Sequence, residues 1–371
     1  MIKTLTALLT LSTIALSVQS QGTTSKPVII GYVAGYNGLI NTSTIDASKL
    51  THINYAFVDV KNNRAWLTNE STDTTNFRTL NLLKQQNPAL KILISIGGWS
   101  WSKNFSDAVL TDSSRKAFAF SSVDIIRKYK LDGVDIDWEY PGMRGDGNVF
   151  RPEDKQNYTL MFQAIREELT KLQQETGQYY LLTTATGGFD DYLTHTEMDK
   201  AQQYLDYINL MTYDFSWGQA GHHTNLFPSA DYDKEHSAHK AVTSYMAAGV
   251  PAHKLVVGLA FYGRGGVVGT TDKHGFDQKI VSNFRIGGGY TYIKDSLVNQ
   301  KGFKSYWDKK AKAPYLFNAA EKKFISYDNE RSVKYKCKYV KKHDLGGVMF
   351  WEYSSDPKTY LLTAINKQLA N

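Results

Sequence analysis

Short apolar runs rich in β-branched and aromatic residues alternate with longer amphipathic stretches along most of the chain. That is the pattern of strands buried on both faces between helices. It predicts strands at Val28–Tyr36, His52–Val60, Lys91–Gly97, Gly133–Tyr140, Tyr180–Thr186, Tyr207–Tyr213, Leu255–Tyr262 and Gly347–Tyr353. Helical periodicity follows most of them, clearest at Asp112–Lys130, Asp154–Thr176, Ala238–Ala248 and Asn329–His343. Eight strands with intervening helices predict an α/β fold, a (β/α)8 TIM barrel spanning 26–371. The rhythm breaks once, from 265 to 327, where Gly-rich and aromatic segments replace the helical pattern. A structureless loop of that length is uncommon. A small α+β subdomain inserted between strands 7 and 8 is expected there instead.

Residues 1–20 stand outside this pattern. Lys3 gives a positive start, Leu5 to Val18 is apolar with Ser and Thr, and Val18-Gln19-Ser20 offers small residues for cleavage. These are the parts of a signal peptide, too short to span a membrane. A secreted mature protein beginning near Gln21, extracellular or periplasmic, is expected. Cys337 is the only cysteine, which excludes an intrachain disulfide. Its place in an amphipathic stretch reads as a small buried hydrophobe. Asn41, Asn69, Asn104 and Asn157 each begin an N-x-S/T sequon, of consequence only in a host that glycosylates.

Composition changes the picture little. Apolar residues at 42% and charged residues at 21% describe an ordinary globular protein. Aromatic residues reach 13%, with 24 Tyr and 7 Trp, and flat aromatic faces suit sugar rings as well as cores. The net charge is +7, yet basic residues are scattered. The densest run is Lys334, Lys336, Lys338, Lys341 and Lys342, of which Lys334, Lys338, Lys341 and Lys342 fall at helical spacing. The run therefore reads as the wet face of one helix. With no nucleic-acid motif beside it, no nucleic acid and no membrane partner is expected, and a monomer is the simplest assembly. His222-His223 has no carboxylate spacing of a zinc or iron site around it, so the pair reads as loop histidines. Neither metal nor cofactor is expected.

The informative segment is Leu131-Asp132-Gly133-Val134-Asp135-Ile136-Asp137-Trp138-Glu139-Tyr140. Strand side chains alternate, so Asp135, Asp137 and Glu139 share one face and Val134, Ile136 and Trp138 the other. In a barrel the apolar face meets the helices and the acids point inward. A wet edge strand would explain them without function, but both flanks are strand–helix repeats that leave no wet face. Three stacked carboxylates are costly to bury and cannot all ionise. One that keeps its proton near neutral pH is prepared to act as a general acid. Glu139 comes last, nearest the strand end where barrel sites lie. It is the natural proton donor.

Asp132 to Glu139, D-G-V-D-I-D-W-E, resembles the D-x-x-D-x-D-x-E signature of family 18 glycoside hydrolases, the chitinases and their relatives. Ser95-Ile96-Gly97-Gly98-Trp99 resembles the family's S-x-G-G on the third strand, and Met211-Thr212-Tyr213-Asp214 its M-x-Y-D on the sixth. Phe261-Tyr262-Gly263-Arg264 looks like the end of its seventh strand, and Gly346 to Trp351 like its eighth with a floor tryptophan. These motifs run in family order from Tyr32 to Trp351, nearly all of the expected mature chain.

The resemblance implies hydrolysis of β-1,4-linked N-acetylglucosamine polymers (chitin or chitooligosaccharides), with retention of configuration and the substrate's acetamide as nucleophile. It implies Glu139 as acid/base, Asp137 as the group orienting the acetamide, and Asp135 beneath it sharing a proton. It further gives Tyr213 to the acetamide oxygen, Asp214 to the distorted sugar and Trp351 to the floor. Tyr32, Phe57, Trp99, Tyr140, Met211, Tyr262 and Arg264 match its pocket positions, although each also suits plain packing. Gly97 and Gly98 admit either close sugar approach or a tight turn. Trp66, Trp101, Trp217 and Trp307 are left unplaced. Cis peptide bonds are implied at Ala56-Phe57, Glu139-Tyr140 and Trp351-Glu352. Two relatives stay open as alternatives: a non-catalytic chitin-binding lectin, which usually lacks the last acid, and an endo-β-N-acetylglucosaminidase on N-glycans, which usually lacks the insertion. A metal-dependent deacetylase would need clustered ligands that the sequence does not offer.

Overall fold

The structure is a computed structural model that describes residues 26–230 and 236–370; the expected signal peptide lies outside them. The barrel strands are Val28–Ala34, His52–Lys61, Lys91–Gly97, Gly133–Asp137, Leu181–Gly187, Tyr207–Met211, Leu255–Ala260 and Gly347–Trp351. All pair in parallel and in sequence, and the first closes the ring by pairing with both the second and the eighth. No edge is left open, so every barrel strand satisfies its backbone on both sides. A short strand, Arg64–Trp66, folds back antiparallel on the end of the second.

The helices start and stop where local chemistry dictates. Thr111 and Ser114 form a capping box over Asp112–Tyr129, which ends when Lys130 turns left-handed. Helix Asp154–Thr176 stops at Gly177, again left-handed. Asn329 and Ser332 cap Glu330–Lys342 in the same reciprocal way. Val134, Ile136 and Trp138 face outward and are wholly buried. Trp138 stacks on Phe105 at 5.1 Å and meets Tyr158 of helix Asp154–Thr176. Truncating such a side chain costs about 3–5 kcal/mol, so the acidic strand is anchored from behind.

Between the seventh strand and helix Glu330–Lys342 lies an antiparallel five-stranded sheet, ordered Ile280–Ser282, Gly263–Val268, Lys323–Tyr327, Ala313–Asn318 and Phe303–Asp308, with helix Tyr290–Ser296. It begins at Gly263, two residues before the expected boundary. Its root is a buried ion pair. Lys336 Nζ lies 2.6 Å from Asp328 Oδ2, both side chains fully enclosed. Asp328 also accepts from Thr224, Ser332 and the backbone N–H of Ala260. The residue that follows the inserted sheet is thus bonded to the strand that precedes it.

Some expectations need correction. Lys334, Lys338, Lys341 and Lys342 are exposed, but Lys336 points the other way into the core. The strands are overextended at their C-terminal ends: the fourth stops at Asp137, not Tyr140, and the first, sixth, seventh and eighth stop two residues early. There the chain leaves the ladder to aim side chains into the barrel mouth. Asn157 is buried, which closes that sequon. Among the described residues no helix is long and apolar enough to cross a membrane.

Candidate active site

The strand ends converge on a cavity of about 930 Å³ lined by Tyr32, Phe57, Trp99, Asp137, Glu139, Tyr140, Met211, Tyr213, Asp214, Tyr262, Arg264 and Trp351, all singled out from sequence. Asp135 lies beneath, fully buried. Gly97 and Gly98 do not line the space. A Cβ on Gly97 would stand 2.2 Å from the Asp137 carbonyl and one on Gly98 2.6 Å from the Phe57 ring, both at positive φ. Tight packing, against the Asp137 backbone and the Phe57 ring, favours glycine at both positions. The peptide bonds Ala56-Phe57, Glu139-Tyr140 and Trp351-Glu352 are all cis.

The three acids occupy different environments. Asp135 accepts four hydrogen bonds: from Tyr32 at 2.9 Å, Ser95 at 2.7 Å, Thr183 at 2.6 Å and Asn209 at 3.2 Å. Four donors favour the ionised form, although burial outweighs them and still raises this carboxyl above the usual range. Asp137 is nearly as enclosed, yet its Oδ1 has no hydrogen-bond partner among the described residues. Burial first, then the charges of Glu139 and Asp135, push its carboxyl well above the usual range. The proton of the lower pair therefore sits on Asp137. Glu139 faces the open cavity. Burial raises its carboxyl to about 7, with Asp214 adding to the rise and the Tyr140 hydroxyl opposing it. Its backbone N–H donates to Ser102 Oγ at 2.9 Å, which holds the turn beyond the strand.

A second network fixes Asp214. Arg264 grips it bidentately, Nε to Oδ1 at 2.8 Å and Nη2 to Oδ2 at 2.6 Å, and the Tyr262 hydroxyl donates at 2.7 Å. Burial pushes this carboxyl up, but the Arg264 guanidinium, in contact with both oxygens, outweighs it and helps hold the group well below the usual range. His222 and His223 lie in an irregular segment as read, but both are buried rather than loose. His222 Nε2 lies 3.2 Å from Asp308 of the inserted sheet, and His223 Nδ1 3.6 Å from Asp214. Among the described residues no group of three or more His, Cys, Asp and Glu converges as metal ligands do.

An aromatic floor completes the cavity. Trp351 stacks on Phe57 at 5.4 Å and 16°, and Phe57 in turn on Tyr36 at 6.3 Å and 8°. Trp101 leans on both, while Trp99 and Trp217 stand at the rim, 51% and 66% exposed. Such faces pack against the C–H bonds of sugar rings. Of the unplaced tryptophans, Trp101 and Trp217 thus belong to the site. Trp66 lies under Lys61 and Trp307 under Arg331, away from it. Sequence reasoning missed Tyr36, Phe189 and the buried Ser102, whose types carry no local signal of function.

The "Glycosyl hydrolases family 18" model matches residues 28–356. Chitinase A1 of Niallia circulans is 38% identical over 406 aligned residues, covering 92% of this chain and 58% of that protein. The chain therefore spans little more than half the length of that relative. A family 18 N-acetylglucosaminidase from Paenibacillus barengoltzii has a similar structure, with a TM-score of 0.86 and 40% identity, over 92% of this chain and 100% of that one. Chitinase ChiA74 from Bacillus thuringiensis superposes with a TM-score of 0.88 at 36% identity, over 93% of this chain and 70% of that one. A closed barrel with its acids at the end of the fourth strand, matched over this much of its length, belongs to the family 18 glycosyl hydrolases.

Proposed function

We propose that the protein hydrolyses β-1,4-linked N-acetylglucosamine polymers with retention, using the substrate's acetamide oxygen as nucleophile and Glu139 as acid, then base. The observation that carries this reading is the division of labour among the pocket carboxylates. Asp214 is locked by Arg264 and Tyr262, Asp135 lies saturated below the floor, and Asp137 holds a proton with no acceptor for it. None is a free anion placed to attack an anomeric carbon, so the nucleophile has to come from the substrate. Glu139, protonated up to about pH 7, donates to the leaving oxygen.

As the acetamide closes on the anomeric carbon, its nitrogen gains positive charge. Asp137 accepts that N–H once its own proton passes to Asp135, where the Ser95 or Thr183 hydroxyl has to turn away to admit it, and it then orients the group and offsets the charge. Tyr213, whose hydroxyl has among the described residues only the soft Met349 sulfur at 3.8 Å, can bond the acetamide oxygen. Trp351 supplies the floor. Water activated by Glu139 then attacks the anomeric carbon from the face the leaving group vacated, opposite the oxazolinium ring, and breaks the bond to the acetamide oxygen, giving the β product. Residues 1–20 serve as an export signal, consistent with a polymer too large to enter a cell, and 265–327 as a subdomain forming one cleft wall.

The test is NMR of fresh products from an acetylated oligomer, run beside its deacetylated counterpart. Initial β product from the first and no measurable cleavage of the second are expected. Initial α product, or equal cleavage of the amine oligomer, overturns substrate assistance. The similarity to an N-acetylglucosaminidase favours one second reading, release of single sugars from a chain end, which the same time course separates from internal cleavage.

A further inference from the structure

His223 does two things at one point of the backbone. Asp214 sits at φ 58°, a left-handed conformation in which Asn and Asp are enriched among side-chain-bearing residues. The residue on either side of its peptide is tied to His223. The Asp214 N–H donates to His223 Nδ1 at 3.4 Å, and the Phe215 N–H donates to the His223 carbonyl at 3.1 Å. His223 is itself held, its own N–H donating to Ser326 Oγ of the inserted sheet at 3.0 Å.

We propose that His223 is a positioning residue for Asp214, acting as a neutral imidazole whose Nδ1 lone pair accepts the Asp214 N–H and fixes that left-handed turn in the catalytic orientation. The proposal rests on the functional reading above for what Asp214 orients, but not for the geometry. A backbone N–H is an obligatory donor, so Nδ1 has to be the acceptor and the ring proton belongs on Nε2. That nitrogen has no partner among the described residues, so its N–H is left unpaired, a cost that the bond at Nδ1 has to offset.

Protonation inverts the contact. Nδ1 would become a donor, repel the Asp214 N–H and be drawn to Oδ1, 3.6 Å away. The charged groups around the ring are Asp214, Arg264 and Asp328, with the Tyr262 ring at 5.3 Å and His222 next in sequence. Asp214 and Asp328 favour the cation, while burial, the largest influence, and Arg264 oppose it. The switch is therefore thrown only at a pH below the ordinary histidine range. The result is an acid limb on activity that belongs to neither Asp137 nor Glu139.

Asn and Leu separate the roles, because Asn Oδ1 occupies the place of His Nδ1 and accepts the same bond without titrating. In the full chain, H223N is expected to keep kcat within about threefold of the parent and to extend activity to lower pH. H223L, which has no acceptor, is expected to lose about tenfold or more in kcat with a smaller change in KM. Imidazole ¹⁵N NMR, with the His223 signal identified by its loss in H223N, is expected to show the Nε2–H form. A wild-type Nδ1–H form, an H223L enzyme with unchanged kcat, or an H223N enzyme with the parental acid limb each overturns the proposal. Should H223L not fold, H223N and the NMR tautomer decide. A wild-type enzyme that does not cut the acetylated oligomer overturns the functional reading instead, and the tautomer still decides the position of the proton.

Discussion

Replacing Glu139 with Gln keeps the size and polarity of the side chain and removes the one proton the proposed reaction needs. With its carboxyl raised to about 7, roughly nine-tenths of molecules carry that proton at pH 6 and roughly one-tenth at pH 8. Turnover of the wild-type enzyme should thus fall about tenfold across those two units and about tenfold for each further unit. The sign follows from the raised value: the acid form exists below it and is lost as pH rises through it. E139Q should lose about 10²–10⁴ in kcat, the usual worth of a positioned general acid, and its residual rate should no longer follow that alkaline limb. The assay is initial rate on a soluble acetylated oligomer from pH 5 to 9 at fixed ionic strength, with circular dichroism to confirm the fold. An E139Q enzyme with more than about a tenth of the parental rate, or one that keeps the limb, would show that another group donates the proton.

Asp214→Asn removes a negative charge that raises the Glu139 carboxyl, so the alkaline limb should move to lower pH, by less than about one unit; an unmoved limb would exclude that coupling. Trp351→Ala takes away the stacking floor and should raise KM by about three- to tenfold, which oligomer kinetics would read directly. Lys336→Met leaves Asp328 charged and buried without its cation, a loss of about 3–5 kcal/mol in denaturant unfolding; a change below about 1 kcal/mol would mean that water reaches the pair. Dialysis against a strong chelator should leave activity unchanged, and loss restored by zinc or calcium would point to a metal-assisted reaction.

The barrel was legible because strands buried on both faces write continuous apolar runs, and because caps such as Thr111 and Asn329 stand just ahead of their helices. Helix Glu70–Leu82 escaped notice for the opposite reason. It buries Asp73 and Asn76, which bond the Tyr55 hydroxyl at 2.6 and 3.2 Å, so its core face is written partly in polar residues. The candidate acids were visible as a charge repeat of period two. Glu139 nevertheless lies beyond the strand that suggested it, since alternation says which face a residue shares and not where the ladder ends. His223 reads as a loop histidine and Lys336 as part of a wet helix face because their partners, Asp214 and Asp328, stand nine and eight residues away on other elements. Pairings made by the tertiary fold leave no spacing rule in the chain.

Cys337 faces inward on the same helix as Lys336, fully enclosed, with burial pushing its thiol up to about 12. It is the chain's single sulfhydryl, which makes it a built-in reporter that needs no engineering. An alkylating reagent can reach it only when helix Glu330–Lys342 lifts from the barrel, so labelling rate in increasing urea measures the opening of that segment alone. Compared with the loss of tryptophan fluorescence, it would tell whether the eighth strand and its flanking helices part from the ring before the rest of it gives way.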